Sequence, residues 1–304
     1  MKTYCRIRIT MSFKNIFLFL ACAFGLNSNA QQSHLDTLIS VKKLVYIEGI
    51  IPASATHGYE SKAILWQSAI ADAKHYYEAK YSNIDVKAKL AVIDSAKWTF
   101  DVPYGYTFAN EGWIVLPADV DFNAFVRIYG ASAFKDELLS EAKTKGIKPD
   151  EILESFFAFV CVHELGHLII AQMMKDGFSD ILFNELAANV VAYEYFKNNK
   201  PELLRGYNLF YNAVINNYNP HFKTLNELYE NYGKMSVANY VWYHSNLMKL
   251  VEEIYNYKEV DFLTCLKKVS MESKDKNLKI RDVAVLLDND YKGLITTWLS
   301  KNNW

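Results

Sequence analysis

A chain of 304 residues that is 51% apolar and 15% aromatic can bury a large core, which excludes a disordered, low-complexity or fibrous protein. Its 33 basic and 34 acidic side chains leave a formal charge of −1, too balanced and too dispersed for a nucleic-acid binder. The one loosely basic run, Lys267-Lys268 and then Lys274 to Lys279, is interleaved with Glu272 and Asp275 and reads as a solvated face.

Residues 1–30 carry Lys2, Arg6, Arg8 and Lys14 and no acid, then an apolar run from 16 to 26, then Ser28-Asn29-Ala30. This is the layout of a secretory signal peptide cleaved after Ala30, with Met11 as an alternative start. The apolar run is too short to span a bilayer, and no stable membrane span is expected once it is removed. Lipidation at Cys22 fits poorly, because Phe19-Leu20-Ala21 is a weak lipobox and processing there would cut into the apolar run. The expectation is a secreted or periplasmic protein whose formal charge, without those four bases, falls to −5. Cys161 and Cys265 then remain, read as two buried thiols although an oxidising compartment would permit one disulfide.

Along the chain, residues 43–48 suggest a short strand and 49–55, with Pro52, a connector. A helix is expected over 59–81, where Ile64, Leu65, Ala69, Ala73, Tyr76 and Tyr77 recur at helical spacing. In 85–94, Val86, Ala88, Leu90 and Val92 alternate with Lys87 and Lys89, the pattern of a strand with one wet face. Residues 98–102 and 112–116 flank a turn-rich segment and read as two further strands of an antiparallel hairpin or meander. A sheet edge can take an extended chain as an added strand, and Trp113, Ile114 and Val115 are the substrate-binding candidates of that kind; an ordinary core strand is the equal alternative. Residues 122–146 follow as helix, stopped by Gly146.

Next comes His163-Glu164-Leu165-Gly166-His167, an H-E-x-x-H. Two imidazoles four residues apart on a helix share one face and can close on one metal ion, while the intervening carboxylate is placed to take a proton from an attacking water. The helix opens at Lys148-Pro149-Asp150 and is apolar nearly all round through Phe156, Phe157, Phe159, Val162, Leu168 and Ile169. Buried polar groups in such a helix require partners, and a metal supplies one to both imidazoles. Gly166 costs about 1 kcal/mol relative to Ala inside a helix, which predicts a second backbone passing beside His167, with simple tolerance the alternative.

A second helix is expected over about 183–197, and Glu185 at its start lies eighteen residues after His167, enough for a helix end, a loop and an antiparallel return. Glu at a helix start also serves merely as a favourable charge near the dipole, but at this distance from the H-E-x-x-H it reads as the third ligand. The rest of the chain reads as helical, in segments near 202–218, 224–232, 236–257, 260–271 and 280–288, with a last one to Trp304.

His163 to His167 together with Asn184-Glu185-Leu186-Ala187-Ala188-Asn189 resemble the gluzincins, the thermolysin-like secreted zinc peptidases with H-E-x-x-H followed by N-E-x-x-x-D. The likeness covers some forty residues; elsewhere only the order of elements is shared. It implies His163, His167 and Glu185 as ligands of one zinc ion, Glu164 as general base, and Asn184 as the residue orienting His167. Asn189 stands where the family usually has Asp, so the hydrogen bond to the first histidine survives without its charge. Such enzymes also need an oxyanion donor from the helical half; Tyr240 is placed first, His244 second and His221 a weaker third.

The resulting expectation is an α+β, zincin-like fold: signal peptide 1–30, an N-terminal α/β lobe over 31–177 with a small, largely antiparallel sheet and the buried metal helix, and an all-helical lobe over 178–304. The expected activity is hydrolysis of a peptide or protein substrate. The alternatives are a zincin-fold binding protein that keeps its metal without turnover, and a structural zinc site closed by a fourth protein ligand.

Overall fold

The computed structural model describes residues 43–98, 105–109, 111–174, 180–232, 234–257, 259–272 and 280–304. The expected signal peptide and most of the expected strand at 98–102 lie outside them.

Five short strands form one sheet: β1 (Val45–Ile47), β2 (Ala53–Ala55), β3 (Lys89–Ile93), β4 (Tyr106–Phe108) and β5 (Trp113–Pro117), in the spatial order β1-β2-β3-β5-β4. The sheet is mixed rather than largely antiparallel, since β2–β3 and β3–β5 pair parallel and only β1–β2 and β4–β5 pair antiparallel. The parallel pair β2–β3 is joined by helix α1 (Glu60–Lys80), a crossover that parallel strands require. Ala53-Ser54-Ala55, expected as connector, is a strand buried at every position.

Both faces of the sheet centre are covered. Leu90, Val92, Ile114 and Leu116 face the main core, while Ala91, Ile93, Trp113 and Val115 form a second apolar cluster closed by Leu44, Trp98 and Phe108. The expected wet face of β3 is therefore corrected: Lys87 lies before the strand, and the Lys89 ammonium rests 4.9 Å above the Trp113 ring. The edge assigned to Trp113, Ile114 and Val115 is corrected too. β5 is paired on both sides and fully buried, and among the described residues the last strand on that side is β4, with Thr107 opposite Ile114.

After the sheet come α2 (Phe122–Ile128), a 3-10 turn (Ala131–Phe134) and α3 (Lys135–Thr144). The single helix expected over 122–146 is broken at Gly130, whose φ of 74° puts it in the left-handed region. Helix α4 (Pro149–Met173) then runs through the interior, with Pro149 in its first turn beside Asp150 and Glu151. It is long and apolar enough to cross a membrane, yet 78% of its most apolar window is buried within the protein, as befits a core helix.

Helix α5 (Ile181–Asn199) returns antiparallel to α4, capped by Asp180, whose side chain accepts from the Phe183 amide at 3.1 Å. Helices α6 (Leu204–Asn217), α7 (Leu225–Asn231), α8 (Val237–Asn256), α9 (Phe262–Glu272), α10 (Ile280–Tyr291) and α11 (Leu294–Lys301) complete the chain. One apolar core runs from Ile51 to Trp304, so both halves of the molecule share it. Cys161 and Cys265 are buried free thiols.

Candidate metal centre

The antiparallel α4–α5 pair decides where the polar side chains meet. On α4, His163 and His167 are one turn apart; on α5, Asn184 and Asn189 are five residues apart and run the other way. His167 therefore meets the earlier amide and His163 the later: Nδ1 of His167 lies 3.1 Å from Asn184 Oδ1, and Nδ1 of His163 lies 2.9 Å from Asn189 Oδ1. Each amide oxygen accepts from an Nδ1–H, which fixes both imidazoles with a lone pair on Nε2.

Those two Nε2 atoms face each other at 3.1 Å. Two lone pairs at that distance repel unless a cation lies between them. Glu185 closes the triangle, its Oε2 3.3 Å from His163 Nε2 and 3.7 Å from His167 Nε2. Four donors held about 2.1 Å from a tetrahedral ion are separated by about 3.4 Å, so all three distances suit ligands of one ion. Glu185 Oε2 is buried without a hydrogen-bond partner, which fits an atom reserved for a metal. Among the described residues, His163, His167 and Glu185 form a group able to hold a metal ion, their donor atoms within 4.8 Å of one another.

The charges agree with this arrangement. Burial pushes the Glu185 carboxyl up, but the imidazoles of His167, His163 and His244 around it hold it well below the usual range. Burial alone would lower His163, but the Glu185 carboxylate beside it raises it overall. A carboxylate that stays ionised beside imidazoles suits a cation.

Gly166 answers to its neighbour as expected. A Cβ there would lie 2.9 Å from Ala188 Cα and 3.1 Å from its carbonyl oxygen, so α5 passes α4 at backbone contact one residue from His167. That close approach brings Glu185 within reach.

Glu164 is buried beside the ligands, on the side facing β4, where the Thr107 hydroxyl donates to its Oε2 at 2.5 Å. Thr107 is a residue that the sequence does not single out: an isolated Thr in a turn-rich segment carries no pattern.

From α8, His244 reaches the same centre, its Nε2 3.5 Å from Glu185 Oε2 and without a hydrogen-bond partner. It falls outside the trio whose donor atoms are mutually within 4.8 Å, and so stands at the rim. Burial depresses it to about 4, leaving it neutral near pH 7. Tyr240, expected ahead of it, sits one turn away with its ring 4.3 Å from that of His244 and its hydroxyl 3.3 Å from that of Tyr232. His221 is exposed, its ring edge-to-face with that of Phe222. Glu111 is half-buried in the β4–β5 turn.

Comparison of the chain with protein-family models, with curated proteins and with solved structures returns no match.

Proposed function

We propose that the protein is a secreted or periplasmic zinc peptidase of the gluzincin type, with His163, His167 and Glu185 holding one zinc ion. The reading is carried by the convergence of these three donors, with Glu164 buried against the same helix turn. Held by these residues, zinc would supply Lewis acidity to a substrate carbonyl and an attacking water. Glu164 takes the proton of that water and delivers it to the leaving amine. His244, neutral and at the rim, donates to the oxygen that becomes negative as the carbonyl is attacked, a role its position supports better than that of Tyr240. The substrate backbone adds alongside β4, which pairs antiparallel with β5 on its other side and lies next to Glu164.

A second reading has one observation in its favour: Asn189 supplies no charge behind His163 and leaves its own Nδ2 without a partner. Under it the protein keeps zinc but does not hydrolyse peptides.

Metal analysis of the purified protein, with casein and mixed-peptide assays of wild type and Glu164→Gln, separates the two. One zinc per chain and a loss of about 10²- to 10⁴-fold in Glu164→Gln support the peptidase. Zinc with no turnover above the mutant on any substrate supports the binding protein.

A further inference from the structure

We infer that Thr107 is the positioning residue of the general base, and that it ties Glu164 to the strand on which the substrate would lie; this rests on the peptidase reading above.

Thr107 is the middle residue of β4, between Tyr106 and Phe108, whose rings pair at 4.8 Å. Alternation along a strand sends its side chain to the opposite face, towards α4. There its hydroxyl has two acceptors on one residue, Glu164 Oε2 at 2.5 Å and the Glu164 main-chain oxygen at 3.0 Å. One proton shared between a side chain and its own backbone fixes the torsions that connect them. With Oε2 engaged, Oε1 is the oxygen left to receive the proton of the attacking water.

The chain before Thr107 is shaped for this approach. A Cβ at Gly105 would lie 2.6 Å from Val160 Cγ1, 2.7 Å from Leu116 Cδ2 and 3.3 Å from Glu164 Cγ, so a larger residue would have to displace those side chains, and glycine lets the strand enter against the stem of the glutamate. Thr107 sits on β4, which among the described residues is the last strand of the sheet on that side, the place where an added chain would pair. An added substrate strand would therefore press on the element that holds the base, and Thr107 carries that constraint to Glu164. It touches neither metal ligand nor, on this assignment, the reacting atoms.

The test compares Thr107→Val, which keeps the shape and removes the donor, with Thr107→Ser, which keeps the donor. On a peptide cleaved by wild type, Thr107→Val is expected to lose at least about thirty-fold in kcat with KM nearly unchanged, and Thr107→Ser to stay within a few-fold of wild type. Equal kcat in Thr107→Val and wild type, or equal losses in the two variants, overturns the assignment. A readout independent of turnover uses the Co2+-substituted proteins. The visible spectrum of Thr107→Val should shift towards that of Glu164→Gln, while Thr107→Ser should match wild type. A Thr107→Val spectrum identical to wild type overturns the assignment even if no peptide is cleaved. A wild type that cleaves nothing removes the peptidase reading alone and leaves the cobalt spectra to decide on Thr107.

Discussion

Asn189 Oδ1 stands 2.9 Å from His163 Nδ1, and the other end of the same buried amide, Nδ2, meets no partner. A buried donor without an acceptor costs about 1–3 kcal/mol, and the amide brings no charge to the imidazole behind which it sits. A carboxylate there would remove the orphaned donor and make His163 a stronger base. Asn189→Asp is therefore expected to bind zinc about tenfold more tightly, and Asn189→Ala about 10- to 100-fold more weakly, in competition with a chromophoric chelator. Equal affinity across all three proteins would remove Asn189 from the centre.

Gly166→Ala sets two effects against each other. Helix propensity alone favours Ala by about 1 kcal/mol. The new Cβ would meet Ala188 Cα at 2.9 Å, and the obstacle is backbone rather than a side chain that can turn away. Overpacking of this kind costs about 1–3 kcal/mol, so the variant should melt lower than wild type despite the better helix former. Its zinc affinity should fall as well, because Ala188 and Glu185 move on the same helix. A higher Tm would show that the α4–α5 contact is looser than these distances imply.

The parts of this molecule that could be read from the chain are those specified by residues close in sequence. An apolar helix with no wet face, two histidines one turn apart and a carboxylate one hairpin later define α4, α5 and the candidate metal centre, because a helical hairpin brings near neighbours together. What escaped depends on distant partners. β2 and β4 are three residues each, too short to show a period, and their existence follows from β3 and β5 pairing with them. β5 reads as an open edge until β4, taken as part of a turn, closes that side. The dry second face of β3 needs Trp113, Trp98 and Leu44 to cover it. Thr107 and the choice of His244 over Tyr240 depend on how β4 and α8 lie against α4, which no local spacing encodes.

Acid sensitivity should trace in part to Lys80, which bridges Glu194 at 2.6 Å and Asp261 at 2.7 Å and so joins α1 to α5 and to the start of α9. Burial would raise the Asp261 carboxyl, but hydrogen bonds from Lys80 and Thr264 hold it below its usual value. A folded pKa below the unfolded one, about 3.9, gives a stabilisation complete above that value and lost as the pH falls through the folded pKa. Asp261→Asn should lower Tm at pH 6–7, and the two melting curves should converge towards pH 2. A gap that stays constant over the whole range would count against the assignment.

Trp304 offers a way to separate stability from metal binding. Its side chain is 3% exposed, with ring centroids 5.3 Å from Tyr243 and 5.2 Å from Trp298, and it closes the core under α8. Tyr243 in turn donates its hydroxyl to the Thr224 carbonyl at 2.7 Å and directly precedes His244. Removing a buried indole costs about 3–5 kcal/mol, so Trp304→Ala should show a large fall in Tm. The three metal donors come from α4 and α5 alone, so zinc stoichiometry and affinity measured well below the new Tm should be unchanged. Only the placement of His244 should suffer, seen as a lower kcat on any peptide that wild type cleaves. Loss of zinc in the folded variant would mean that α8 holds the metal centre together, and that His244 acts as a ligand rather than at the rim.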